Sequence, residues 1–164
     1  MKMVGRLFGV LLLGWFATMA VAASVAMQRK RDAPPASDPD ADSIELRAIF
    51  GPLEFASTAA AFRGGSVECW FGGGTIDLRG ATLAPDGAYL RTTAVFGGAS
   101  ILVPDGWIVE THISGIGGAG DARGIDGADV AANPLAPKLV IEGPVAFGGF
   151  AIMSSDPRPE AAAI

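Results

Sequence analysis

The chain has 164 residues, half of them hydrophobic, and a formal net charge of −5. This composition excludes a disordered protein, and the length allows one domain with an appendage. Of the 12 basic residues, 5 lie at or before Arg31, so the rest of the chain carries 7 basic against 17 acidic residues, a net of −10. Such a charge repels phosphate backbones and argues against nucleic acid as a partner. Cys69 is the single cysteine, so an intramolecular disulfide is excluded and a small buried hydrophobe is the simplest interpretation.

An apolar run opens the chain. Leu7 to Met27 holds no charged residue over 21 positions, which matches the roughly 20 residues that cross a bilayer core. The run ends in Arg29-Lys30-Arg31, so residues 1–31 are predicted to be a single-pass transmembrane anchor that binds the lipid bilayer of the cell membrane. That basic cluster favours a cytoplasmic C-terminal domain. The alternative is a cleaved signal peptide, with Ala20-Val21-Ala22 at its cleavage site, and a secreted or periplasmic protein.

Three further segments follow the apolar run. Residues 32–43 are rich in proline, alanine and aspartate, which cannot bury a core, so they are predicted to be an acidic linker. The folded domain is predicted over residues 44–155, where apolar and polar residues alternate with a period of two, as is typical of strands. Residues 156–164 are predicted to be a disordered tail.

One phrase recurs through the domain: an aromatic residue, a glycine pair and a short apolar run. The copies are Phe50-Gly51, Phe71-Gly72-Gly73, Phe96-Gly97-Gly98, Gly117-Gly118 after Ile116, and Phe147-Gly148-Gly149. The intervals between the lead residues are 21, 25, 20 and 31. Such a period predicts an all-β fold, a short single-stranded β-helix or β-solenoid, in which each coil adds strands to its neighbours. The phenylalanines are expected to stack as an internal ladder, with Phe71, Phe96 and Phe147 in phase with the inner residues of their strands.

The sequence places no catalytic constellation, so we predict a protein that is not an enzyme and that holds no cofactor and no metal. Gly115 to Gly120 matches G-x-G-x-x-G, but the residues that follow do not predict the helix that a dinucleotide site needs. His112 shares a face with Glu110 without a recognisable nucleophile. An enzyme acting on carbohydrate would need carboxylates clustered on one face, and the loose candidates are Glu68, Asp77 and Glu110. The candidate interaction surface comprises Trp70, Trp107, Asp77 and Arg79, with packing and a surface ion pair as the alternative interpretation.

The repeated phrases carry a resemblance to a known family. The matching residues are Phe71-Gly72-Gly73 with Ile76-Asp77-Leu78, Phe96-Gly97-Gly98 with Ile101 to Pro104 and Gly106-Trp107, and Ile116-Gly117-Gly118. Over residues 45 to 155 the chain resembles the C-terminal domain of LiaF-type proteins, the cell-wall-active antibiotic response proteins. The resemblance implies a bacterial membrane protein whose β-helical cytoplasmic domain restrains a sensor kinase.

That resemblance predicts regulation of envelope-stress signalling by contact with a protein partner, either a sensor kinase or another envelope protein. The alternative is a self-associating, membrane-attached scaffold similar to bactofilins, because coils with open ends can stack end to end into a homo-oligomer.

Overall fold

The computed structural model describes residues 18–21, 23–28, 31, 37–116, 121–123 and 137–155. The chain divides into two compact units, Met1–Ala33 and Pro34–Ile164. Residues 18–21 and 23–28 of the first unit are helical. Among the described residues, no helix combines the length and the apolar character that crossing a membrane requires.

This finding corrects the predicted single-pass transmembrane anchor. The helical residues that the structure describes in the first unit do not form a membrane-spanning helix. Residues 1–17, 22, 29 and 30 of the predicted anchor, residues 32–36 of the linker and residues 156–164 of the tail lie outside the described residues.

The described residues of the second unit form ten strands. In chain order they are β1 (Ser43–Ile49), β2 (Pro52–Ala56), β3 (Gly64–Trp70), β4 (Gly73–Asp77), β5 (Ala88–Val95), β6 (Gly98–Pro104), β7 (Ile108–Ile116), β8 (Asp121–Arg123), β9 (Lys138–Ala146) and β10 (Gly149–Ser155). They build two five-stranded sheets with only parallel pairings: sheet A in the order β1-β3-β5-β9-β7, and sheet B in the order β2-β4-β6-β10-β8. Strands that follow each other in the chain therefore belong to opposite sheets.

The strand order shows that the predicted single-stranded β-helix is wrong. A chain that winds coil upon coil keeps its strands in chain order within each sheet. Here β9 lies between β5 and β7, and β10 lies between β6 and β8. The last two strands are thus inserted into the stack, and the fold is a pair of five-stranded parallel sheets. The local phrases could not predict this, because each phrase specifies a corner and not the strand beside it.

One core lies between the sheets and is built from alternate residues of the strands. The β5 strand shows the pattern well, with Leu90 and Thr92 fully buried and Arg91 exposed between them. The parallel register places inner residues of neighbouring strands side by side, as in the row of Ala48, Cys69, Ala94 and Val145. The buried hydroxyl of Thr92 donates a 3.1 Å hydrogen bond to the carbonyl of Glu142, so this polar group in the core is satisfied.

Candidate functional site

The repeated phrase forms the corner between the two sheets. Each of its four phenylalanines follows the last residue of a sheet A strand and precedes a sheet B strand. The rings of Phe50 and Phe71, of Phe71 and Phe96, and of Phe96 and Phe147 stack at centroid distances of 5.1, 5.3 and 4.9 Å. The planes of neighbouring rings lie within 12° of parallel. We call these four residues the Phe ladder.

The Phe ladder runs along the outside of the corner. Phe50 is 42% exposed and Phe147 is 58% exposed, whereas Phe71 and Phe96 are half-buried. The predicted stacking is confirmed, but the predicted internal placement is wrong. All four residues have φ values between 50° and 55°, and one left-handed residue ends the two-residue alternation of the strand before it. The side chain therefore leaves the inner face at this point.

A left-handed phenylalanine is an unusual feature, and here it occurs four times. The conformation costs about 1–2 kcal/mol for a residue with a Cβ atom, while a stacked aromatic pair contributes about 0.5–1.5 kcal/mol beyond its buried area. With four strained residues and three stacked pairs, stacking by itself does not exceed the strain. Asparagine or glycine would suit the backbone better. Partial burial of the rings adds to the stacking and offsets the strain, but the exposed part of each ring contributes nothing to this stability.

The ladder continues into a wider apolar surface. The N–H of Phe147 donates a 2.9 Å hydrogen bond to the carbonyl of Ile116, and Ile116, the lead residue of the fourth phrase, is 74% exposed. Beside the ladder, the last residues of the other sheet A strands lie in register: Trp70, Val95 and Ala146, which are half-buried, and Ile49, which is only 6% exposed. We call the Phe ladder, Ile116 and this row the apolar band. Gly117 and Gly118 of the same phrase lie outside the described residues.

The two tryptophans predicted for the interaction surface occupy different places. Trp70 is half-buried at the end of β3 and belongs to the apolar band. Trp107 lies at the connection between β6 and β7, where it packs against the core and stacks on Phe62 at a centroid distance of 6.4 Å. The structure therefore brings Trp70, but not Trp107, to the ladder.

Asp77 and Arg79 form the predicted ion pair at the end of β4. The Arg79 guanidinium donates to both carboxylate oxygens of Asp77, through Nε at 3.0 Å and Nη2 at 2.9 Å, and the Arg79 N–H donates to Oδ1 at 3.0 Å. The side-chain hydrogen bond to Asp77 raises the pKa of Arg79 above its ordinary value. Because these groups bond to each other within one turn, we assign the pair to the structure of the turn and not to the apolar band.

Charged side chains on sheet A are paired with each other. The carboxylate of Glu110 accepts from Lys138 Nζ at 2.5 Å and lies 2.8 Å from His112 Nε2. The hydrogen bond from Lys138, followed by that from His112, lowers the pKa of Glu110. Ion pairs also join neighbouring strands, from Arg47 to Glu68 at 3.8 Å and from Arg91 to Glu142 at 3.9 Å.

The three carboxylates considered for an enzyme are dispersed over the fold. Glu68 lies on β3 and Glu110 on β7, the strand at the far side of sheet A, while Asp77 belongs to sheet B. An open depression of about 360 Å³ on sheet B is lined only by Gly74, Gly98, Ala99, Ser100, Gly149, Phe150 and Ala151. None of these side chains can transfer a proton near neutral pH. The three carboxylates are therefore not brought together at one place, and none of them lines this depression.

Cys69 lies in the core, and we expect it to be chemically inert in the folded chain. Burial raises the pKa of its thiol to about 11, so at pH 8 only about one thiol in a thousand is the reactive thiolate. Alkylation by iodoacetamide at pH 8, followed by mass spectrometry, should be slow for the native chain and fast in denaturant. Equal rates in both conditions would contradict a buried thiol.

Comparison with known proteins adds no family to this description. No family model matches the chain, and no significant similarity to a curated protein or to a solved structure is found. The resemblance to LiaF-type domains therefore rests on the repeated phrases alone.

Proposed function

We propose that this chain is a non-enzymatic protein-interaction domain that binds its partner through the apolar band. One observation carries the proposal: four phenylalanines occupy an unfavourable backbone conformation and remain partly exposed at a corner of the fold. Strained residues that persist in a fold are often retained for function. A contiguous exposed apolar surface is typical of a protein contact site.

The arrangement of the rings restricts the chemistry of the partner. Within the ladder the rings stack face against face, so both faces of Phe71 and Phe96 are covered by neighbouring rings and only the end rings, Phe50 and Phe147, keep one face outside a stacked pair. The ladder therefore presents mainly ring edges. A sugar ring would need an open aromatic face to stack on, whereas aliphatic and aromatic side chains pack well against ring edges. A protein with an apolar contact surface is therefore the partner that suits this band.

The resemblance to LiaF-type domains supports a regulatory role for this contact. The same F-G-G phrases that carry the resemblance also build the ladder. On that basis the partner is a sensor kinase or another protein of the cell-envelope stress response, and binding would restrain its activity.

Site-specific photocrosslinking tests the contact surface. A benzoylphenylalanine residue is placed at Phe147, on the apolar band, or at Arg91, whose side chain is 68% exposed on sheet A. We expect a discrete adduct with a second protein from position 147 and none from position 91. Excess unlabelled wild-type chain should suppress the adduct. Excess F147N should not, because asparagine tolerates the left-handed backbone but lacks the ring.

Three results would contradict this function. Equal adducts from positions 147 and 91 would show that the band is not a specific surface. Equal competition by F147N would show that the ring does not contribute to binding. An adduct that contains only a second copy of this chain would exclude a heterologous partner for the band.

A further inference from the structure

The two edge strands of sheet A, β1 and β7, differ in how they are covered. At β1, the Ser37 hydroxyl accepts from the N–H of Glu45 and donates to its carbonyl, both at 2.9 Å. The segment before β1 is itself held in place, because the N–H of Thr58 donates to the carbonyl of Pro39 at 2.8 Å. The outward N–H and C=O of Glu45, in the first half of β1, are thus satisfied within the chain.

No such cover is found at the β7 edge within residues 37–116, 121–123 and 137–155, where the one backbone group outside the sheet A strands that bonds to β7 is the N–H of Phe147, on the side of β9. The Ile116 carbonyl accepts from Phe147, so the even-numbered residues of β7 direct their backbone groups towards β9. Successive residues alternate, and the odd-numbered residues therefore direct their N–H and C=O groups to the outer edge.

The composition of β7 favours pairing at this edge. The strand reads Ile-Val-Glu-Thr-His-Ile-Ser-Gly-Ile. It is nine residues long and contains none of the lysine or proline residues that commonly block an exposed edge. By contrast, β1 carries Arg47 in addition to its cover by Ser37.

We infer that a second copy of this chain pairs with β7, antiparallel, about a two-fold axis at Thr111. A symmetric antiparallel pair that keeps inner residues on the inner face must be centred on one residue of the strand. A centre at Glu110 would oppose two carboxylates, and a centre at His112 would oppose two imidazoles. A centre at Thr111 places Glu110 of one copy opposite His112 of the other.

The same register also matches the apolar residues. It places Val109, which is 7% exposed, opposite Ile113 of the other copy, and both belong to or pack against the core. Cross-strand pairs of opposite charge and of apolar side chains stabilise a sheet, whereas like charges destabilise it. Of the three registers, only the one centred at Thr111 has both kinds of favourable pair.

The geometry of the pair follows from the direction of the backbone groups. Glu110 and His112 direct theirs to β9, so they form a non-hydrogen-bonded pair across the new interface, with Cα atoms about 4.5 Å apart. Each Glu110 already bonds to Lys138 and His112 of its own chain, and the pairing would join the two charged clusters. The two copies of sheet A would then form one continuous sheet. This inference does not depend on the apolar band as a binding surface.

Disulfide crosslinking of the full-length chain tests the register. Ile108 lies opposite Ser114 of the other copy, also in a non-hydrogen-bonded pair whose Cα separation suits a disulfide. We expect the double variant I108C/S114C to form a covalent dimer under mild oxidation that disappears on reduction. The single variants I108C and S114C are the matched controls. In this register, the cysteine of a single variant lies about 20 Å from the same cysteine in the other copy, because the two are offset by six residues along the strands. The single variants should therefore remain uncrosslinked.

Sedimentation of the wild-type chain provides a second measurement that needs no substitution. We expect a species with the mass of two chains that dissociates on dilution. A strict monomer over a wide concentration range would overturn the inference, as would assemblies larger than two chains. Crosslinking of either single variant to the same extent as the double variant would also overturn it. A strict monomer would show that the β7 edge is not a contact between copies. Larger assemblies, or crosslinking of a single variant, would show that the copies associate in a different arrangement.

Discussion

Replacing Gly97 by alanine should destabilise the domain by at least about 3 kcal/mol, which is among the larger effects of a single substitution. A Cβ atom at Gly97 would lie 2.2 Å from the carbonyl oxygen of Gly72. That oxygen belongs to the backbone of the neighbouring corner and cannot rotate away as a flexible side chain could. The two corners would have to separate, and this would disturb the ring stacking and the parallel pairing that they support.

Gly51 provides a matched control for this substitution. It occupies the same position in the first phrase, but no earlier corner lies beside it, and the nearest atom to an added Cβ is 4.0 Å away. Gly51→Ala should therefore be neutral or stabilise by about 0.4–1 kcal/mol, through the lower entropy of the unfolded chain. Gly148→Ala, with a contact of 1.8 Å to the carbonyl of Gly97, should resemble Gly97→Ala.

Urea denaturation followed by circular dichroism distinguishes the three variants. The midpoints for Gly97→Ala and Gly148→Ala should fall far below the wild-type midpoint, or the variants should be unfolded in buffer. The midpoint for Gly51→Ala should stay at or above the wild-type value with the same slope. Equal midpoints for Gly51→Ala and Gly97→Ala would show that the corners are not as closely stacked as described.

The sequence predicted the strands and their inner faces well, because these depend on local patterns. A period of two between turn residues determined that Leu90, Thr92 and Ala94 face the core, and all three are buried. The pairing of Asp77 with Arg79 followed from the same alternation and is confirmed by their contact.

Features that depend on contacts between distant segments could not be predicted in this way. The insertion of β9 between β5 and β7 is one example, because β9 and β5 lie some 50 residues apart, with Leu139 opposite Ala88. The Phe ladder is another. The alternation placed Phe96 on the inner face, but its φ of 50° ends the alternation one residue earlier. The signal was the glycine pair after each phenylalanine, which marks the corner without giving the side to which the ring turns.

The apolar band and the β7 edge likewise could not be predicted from the sequence. Ile116 begins a phrase like the others, and only the sheet order shows that its strand is an edge. The face shared by Glu110 and His112 was predicted from their spacing, and their contact at 2.8 Å confirms it. What the spacing could not show is that this face lies on a strand with neighbours on one side only among the described residues.

Substitutions of Phe96 should show the second large effect, together with a reversal of the usual order of alanine and glycine. Phe96 stacks on Phe71 at 5.3 Å and on Phe147 at 4.9 Å, so Phe96→Ala removes both stacked pairs and part of the buried area. We expect a loss of about 2–4 kcal/mol from these contributions. Alanine retains its Cβ atom in the left-handed conformation, and the strain of about 1–2 kcal/mol therefore remains.

Phe96→Gly should be more stable than Phe96→Ala by about 1 kcal/mol, because glycine adopts positive φ without strain. The neighbouring Val95 gives the matched control, since it ends β5 and has no positive φ. There, Val95→Gly should be less stable than Val95→Ala by about 0.5–1 kcal/mol, as in an ordinary strand. Urea midpoints of the four variants provide the comparison. If glycine were the less stable substitution at both positions, the left-handed backbone of the ladder would be refuted, and with it the strain that argues for a function of the exposed rings.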